Sequence, residues 1–153
     1  GNPILSDDAV GWLVGDRLSA ALGAGKVDLM KETGASIDIV GKLAPYDRVA
    51  IIDAIQLGEQ PVGSVYKFSL EDLKSTVRRS SAHDINFATA FQVGRDLGCK
   101  VPDDVRIYAI EAKDLQHFSE SCTPELSDKL DGITAEILRD LGSPVIPGCC
   151  TAS

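Results

Sequence analysis

Two short apolar runs limit what this chain can fold into. Val49-Ala50-Ile51-Ile52 and the stretch from Val105 to Ile110 carry the pattern of strands covered on both faces, and they end in Asp53 and Glu111. Helical periods run between and around them. From Asp8 to about Leu22, Val10, Leu13, Val14, Leu18 and Leu22 share one helix face, which Gly23-Ala24-Gly25 ends. Residues 36–43 predict a short helix with Ile37, Val40 and Leu43 inward. A helix from about Asp84 to Leu97 aligns Phe87, Ala90, Phe91, Gly94 and Leu97, and Gly98 closes it. Thr123-Pro124 opens the last helix as N-cap and first-turn proline, with Leu126, Leu130, Ile133, Ile137 and Leu141 on one face.

Strands alternating with helices predict an α/β fold. The expected form is a three-layer α/β/α sandwich on a twisted, mostly parallel sheet with one antiparallel strand. Val62 to Phe68 supplies that antiparallel strand, because the link behind Asp53 is too short for a crossover. Val27 to Met30 reads as a further short strand, Leu70 to Thr76 as a brief helix, and the tail from Gly142 as frayed. At 153 residues the chain is expected to form one domain, 1–153.

The charge balance narrows the partners. A net charge of −8 argues against a nucleic acid or an anionic membrane reached by long-range attraction. No apolar run approaches the length of a membrane span. The four cysteines, Cys99, Cys122, Cys149 and Cys150, lack zinc-type spacing, so reduced thiols in a cytoplasmic monomer are expected.

The opening stretch, Gly1-Asn2-Pro3-Ile4-Leu5-Ser6-Asp7-Asp8-Ala9-Val10-Gly11, reads as a turn feeding a helix. Asp7 stands where an N-cap belongs, and Asp8 falls in the first turn beside the positive end of the helix dipole. Such a turn lies on the ligand-binding edge of an open α/β sheet when a strand precedes it, and an apolar strand is expected ahead of Gly1.

If that strand neighbours the one ending at Asp53, Asp8 and Asp53 emerge at one sheet edge, and His83, in a loop before a helix, can reach it. Two carboxylates and an imidazole suit a divalent metal with open positions, such as nickel, zinc, iron or manganese. The same carboxylates could instead share a proton and activate water. Plainer roles stand beside these: Asp7 and Asp53 as caps, His83 and His117 as solvated loop residues. Ser80-Ser81 near His83 lacks a Gly-x-Ser-x-Gly elbow, and a phosphate cradled at Gly1-Asn2 would meet Asp7 and Asp8. Arg78-Arg79 reads as a solvated spot, and Cys149-Cys150 lies in the tail.

In their order these segments resemble the hydrogenase maturation endopeptidases of nickel–iron hydrogenases. Gly1-Asn2-Pro3 with Leu5 and Asp7-Asp8-Ala9-Val10-Gly11 is similar to the family's opening motif, and Ile51-Ile52-Asp53-Ala54 to its second acidic strand end. Ser81-Ala82-His83-Asp84 resembles its histidine segment, and Ile110-Glu111 followed by Phe118 to Pro124 its closing stretch. The resemblance spans nearly the whole chain, although the family's first strand has no counterpart in it. It implies a protease that removes a C-terminal extension from the hydrogenase large-subunit precursor after nickel insertion, with the nickel already held by substrate cysteines as the recognition mark. Family metal contacts carry over to Asp8, Asp53 and His83. Glu32-Thr33-Gly34 stands where the family's Asp-Gly-Gly-Thr specificity loop is usual, and its residues are expected to contact substrate. Alternatives are a nickel-dependent chaperone that binds the same precursor without cutting it, a peptidase similar to spore-germination proteases, and a plain nucleotide-binding α/β module.

Overall fold

The computed structural model describes residues 1–23, 25–33, 37–72 and 82–142, and for Ile37 and residues 82–88 it describes the backbone alone. After a 3-10 turn at Ser6–Ala9 come α1 (Val10–Leu22), α2 (Ile37–Leu43), β1 (Arg48–Ile55), β2 (Val65–Ser69), α3 (Ala82–Asp96), β3 (Asp104–Glu111), α4 (Pro124–Ser127) and α5 (Leu130–Leu141).

The strands lie in the order β1-β3-β2. β1 runs parallel to β3, with Asp53 opposite Ala109 and Ile55 opposite Glu111, while β2 runs antiparallel to β3 with Tyr66 opposite Ala109. The antiparallel strand is therefore present, but it lies across β3 rather than beside β1. The short link after β1 forbids a crossover helix, yet it is long enough to step over β3.

Helices cover both faces of this mixed α/β sheet. On one face Val10, Val14 and Leu18 of α1 meet Leu130, Ile133 and Ile137 of α5 over Ala54, Tyr108 and Ile110. On the other, Val40 and Leu43 of α2 meet Ala90 and Phe91 of α3 over Ile51, Val105 and Ile107. Each fully buried aliphatic or aromatic side chain here contributes about 1.5–3 kcal/mol from burial. The three layers match the expectation, because β1 and β3 are apolar on both pleat faces and need two covers.

Several local expectations are corrected. Val27 to Met30 forms no strand; the segment runs as irregular chain beside α1. β1 continues two residues beyond Asp53 because Ala54 and Ile55 are themselves buried. The last helix divides at Asp128 and Lys129, so α4 and α5 share the apolar face between them. Leu97 lies beyond the packed face of α3 and is 72% exposed. Of the brief helix expected at Leu70 to Thr76 the structure describes Leu70 to Asp72 as helical. The remainder, Arg78-Arg79, Ser80-Ser81, Gly34 and the tail with Cys149 and Cys150 lie outside the described residues. Among those described, no helix is long and apolar enough to cross a membrane.

Candidate active site

The carboxyl ends of β1 and β3 carry the site, and residues 1–9 fold across them. Gly1-Asn2-Pro3 does turn the chain: the Leu5 N–H donates to the Asn2 carbonyl at 3.2 Å, and the Ile4 N–H to Asn2 Oδ1 at 3.2 Å. Leu5 then forms a parallel bridge with Ser119, and the Ser6 N–H donates to the Ser119 carbonyl at 3.0 Å. Ser6 adopts φ 44°, a left-handed conformation that costs a non-glycine residue about 1–2 kcal/mol. Its bonded neighbours over-determine that geometry.

Asp7 is not the N-cap that its position predicts. It lies inside the 3-10 turn with no exposed surface. Oδ1 accepts from the Thr123 N–H at 2.7 Å, and Oδ2 from the Lys113 N–H, the Asp114 N–H and the Thr123 hydroxyl at 3.0, 3.1 and 3.1 Å. Its own N–H donates to the Asp114 carbonyl at 3.0 Å. One carboxylate thus ties the opening turn to the loop after β3 and to the start of α4. The Thr123 hydroxyl, expected to cap its own helix, is consumed here, and α4 has no side-chain cap.

Asp8 and Asp53, distant in sequence, line one cleft. Asp8 is half-buried, and its N–H donates to the Leu5 carbonyl at 2.9 Å. Asp53 keeps 20% side-chain exposure; its Oδ1 accepts from the Ala54 N–H at 3.0 Å and lies 3.4 Å from the Gly1 ammonium. The approach of α1 to β1 depends on Gly11, where an added Cβ would stand 2.5 Å from the Ile52 carbonyl oxygen.

His83 is the second residue of α3 rather than part of a loop before it. The return from Leu97 to Asp104 is short, and Ala90 and Phe91, midway along α3, pack with Val40 and Leu43 of α2 over the sheet. The His83 side chain lies outside the description. Among the described residues no three His, Cys, Asp or Glu side chains form a group able to hold a metal ion. Asp8 and Asp53 supply two hard oxygen donors, and an imidazole is the kind of third ligand that a borderline divalent ion takes.

Glu32 and Thr33 line the same cleft. Glu32 is occupied structurally: its carbonyl accepts from the Gly1 ammonium at 3.2 Å and from Trp12 Nε1–H at 3.4 Å, and its carboxylate from Lys42 Nζ at 2.6 Å. Thr33 is exposed.

Two acids were not singled out by sequence as supports. Glu111 is 2% exposed; its Oε1 accepts from the Leu57 and Gly58 N–H groups at 2.9 Å, and Oε2 from the Tyr66 hydroxyl at 2.8 Å. Burial, then that hydrogen bond, pushes the Tyr66 phenol up from its ordinary value. The available signal was an acid closing an apolar strand. Asp114 accepts from the Gln116 and His117 N–H groups and faces His117 Nδ1 at 3.0 Å. The Gln116 amide, then the His117 ring, holds its carboxyl below the ordinary value. His117 itself is exposed, as a solvated loop histidine should be.

The profile of the HycI hydrogenase maturation protease family matches residues 14–140, a range that includes Asp53 and His83 and begins after Asp8. No curated protein matches the chain in sequence. The fold is similar to that of the hydrogenase maturating endopeptidase HybD from E. coli, with a TM-score of 0.75 at 20% identity over 93% of this chain and 90% of that one. It is also similar to the [NiFe] hydrogenase maturation protease HybD from Thermococcus kodakarensis, with a TM-score of 0.69 at 22% identity over 94% and 95% of the two chains. The hydrogenase 2 maturation peptidase from Thaumarchaeota archaeon SCGC_AB-539-E09 gives 0.65 at 24% identity over 93% of each. With its sequence matched to that profile over most of its length and its fold shared with these enzymes, the chain belongs to the hydrogenase maturation proteases, peptidases that process hydrogenase large-subunit precursors.

Proposed function

We propose that the chain removes the C-terminal extension of a nickel–iron hydrogenase large-subunit precursor after nickel insertion, reading the nickel carried by that precursor through Asp8, Asp53 and His83. The observation that supports the proposal is that Asp8 and Asp53, from separate elements, both line one cleft. Both keep some exposure there while the neighbouring acids are consumed by the scaffold. Asp8 and Asp53 would offer oxygen donors to the open positions of a substrate-held ion, and His83 the nitrogen donor. Nickel bound in this way would polarise the scissile carbonyl or activate water, which is metal-dependent chemistry at aspartyl ligands. Glu32 and Thr33, which line the cleft, would contact substrate together with Gly34, the next residue in sequence, Thr33 through its side chain because the Glu32 carboxylate is held by Lys42. The setting this implies is a monomer acting in the cytoplasm.

The test is incubation of the purified protein with nickel-loaded precursor, read by intact mass. Loss of the extension is expected with the native chain. His83→Ala and Asp8→Asn should keep native circular dichroism and leave the precursor uncut. Normal cleavage by His83→Ala would remove His83 from the mechanism. A precursor that binds with unchanged mass would assign the chain to the chaperone alternative.

A further inference from the structure

Seven large apolar side chains remain exposed among the described residues. Val27, Leu29 and Met30 line the cleft of Asp8 and Asp53, and Val93 and Leu97 lie on α3 and just past its end. Ile4 and Phe118 are left, 49% and 82% exposed, and neither lines the cleft. Leu5 bridges Ser119 in parallel, and the Ser119 N–H donates to the Ile4 carbonyl at 3.1 Å. That register sets Ile4 beside Phe118, far apart as they are in sequence.

Phe118 sits between two hydrogen-bonded turns. Before it, Asp114 Oδ1 accepts from the Gln116 and His117 N–H groups at 3.1 Å. After it, Ser119 Oγ accepts from the Ser121 N–H at 3.1 Å and donates to the Ser121 carbonyl at 2.7 Å. Asp7 ties the front of this loop to the opening turn. A ring held in water by its own backbone adds no burial to the fold, and a side chain already placed loses little freedom on binding. One exposed apolar residue is ordinary, but an aromatic and a β-branched residue side by side on a braced loop have the form of an interface anchor.

Position names the occupant. Leu115 and Gln116, just ahead of Phe118, line the same cleft as Asp8, and so does Leu5, next to Ile4. The pair therefore stands on the outer rim of that cleft. A small ligand in the cleft would leave it in water, whereas a protein whose scissile bond reaches Asp8 and Asp53 lies across it.

We propose that Ile4 and Phe118 form a docking ledge, outside the cleft, that receives an apolar side chain of the hydrogenase large-subunit precursor. The proposal rests on the reading of that cleft as the cleavage site. The ledge touches no reacting atom, so its contribution is equal in the bound and reacting states; it lowers KM and leaves kcat alone.

The test measures initial cleavage rates across a range of nickel-loaded precursor concentrations. Phe118→Ala is expected to raise KM about tenfold or more with kcat within about twofold, and Phe118→Leu to keep KM within about threefold of native. Leu97→Ala, which removes an exposed apolar side chain just past α3, should change neither. Equal KM for Phe118→Ala and the native chain overturns the ledge and leaves cleavage standing, as does a fall in kcat at unchanged KM. An effect of the same size from Leu97→Ala overturns it too. If the native chain binds the precursor and leaves it uncut, cleavage alone fails, and the same comparison made in Kd decides the ledge. A native chain that does not bind the precursor overturns both. Self-association of the native chain that Phe118→Ala abolishes would assign the ledge to a second copy instead.

Discussion

Asp7 has no exposed surface and four donors on its carboxylate, whereas Asp8, the next residue, lines the cleft shared with Asp53. The 3-10 turn produces this divergence, since adjacent residues on so tight a helix point about 120° apart. Glu111 and Asp53 repeat the contrast at the ends of the two parallel strands. Glu111 is sealed around three donors, while Asp53 keeps an opening to the cleft. An acid saturated by backbone donors is part of the frame, because its lone pairs are already committed. An acid on the cleft wall keeps the capacity to meet a ligand.

The largest expected effect comes from removing the most saturated acid. Asp7→Ala strands three backbone N–H groups and one hydroxyl in a buried junction. At about 1–3 kcal/mol for each donor left unsatisfied, with some recovered by entering water, the loss should be about 4 kcal/mol. Asp8→Asn should shift stability by about 1 kcal/mol or less. Urea denaturation of the two variants measures both. Equal losses would break the distinction between frame and site.

Glu111 offers a graded version. Glu111→Ala releases the Leu57 and Gly58 amides and the Tyr66 hydroxyl and should cost about 2–3 kcal/mol. Glu111→Gln should cost about 1 kcal/mol, because one amide oxygen still accepts both N–H groups while the NH2 turns to the tyrosine oxygen. The Tyr66 phenol should also titrate at lower pH in Glu111→Gln, since a contribution holding it up is the carboxylate. Ultraviolet titration of the tyrosines reads this directly.

The same contrast explains how much was legible in the residues. Apolar runs ending at Asp53 and Glu111 announced β1 and β3, and helical periods announced α1, α2, α3 and the α4–α5 face, because burial on a regular element leaves a period in sequence. Asp53 could be placed at the sheet's carboxyl edge for the same reason. Asp7 was legible only as an acid before a helix; nothing in its neighbourhood announces that Lys113, Asp114 and Thr123 will bring their donors to it from over 100 positions away. Val27 to Met30 failed in the opposite direction. Its alternation is strand-like, but a strand also needs a neighbour to bond, and no described strand pairs with it. The pairing of β2 with β3 was hidden because a short link fixes direction relative to β1 without naming the partner.

The smallest effect reports the Asp7 charge from outside its hydrogen bonds. Cys122 is half-buried, its thiol donates to the Ser6 carbonyl at 3.7 Å, and burial first, then the Asp7 carboxylate, pushes it up to about 11 from 9.0. Because the folded value lies above the unfolded one, the protonated thiol's contribution to stability is whole below pH 9.0 and is lost as pH rises through about 11. Site-resolved alkylation followed by mass spectrometry should therefore show Cys122 slower than exposed Cys99 at pH 8, with a midpoint near pH 11. Asp7→Asn keeps the burial and removes the charge, so the midpoint should fall without returning to 9.0. An unmoved midpoint in a folded Asp7→Asn variant would mean that burial alone holds the Cys122 thiol up and that Asp7 acts on its surroundings only through its hydrogen bonds.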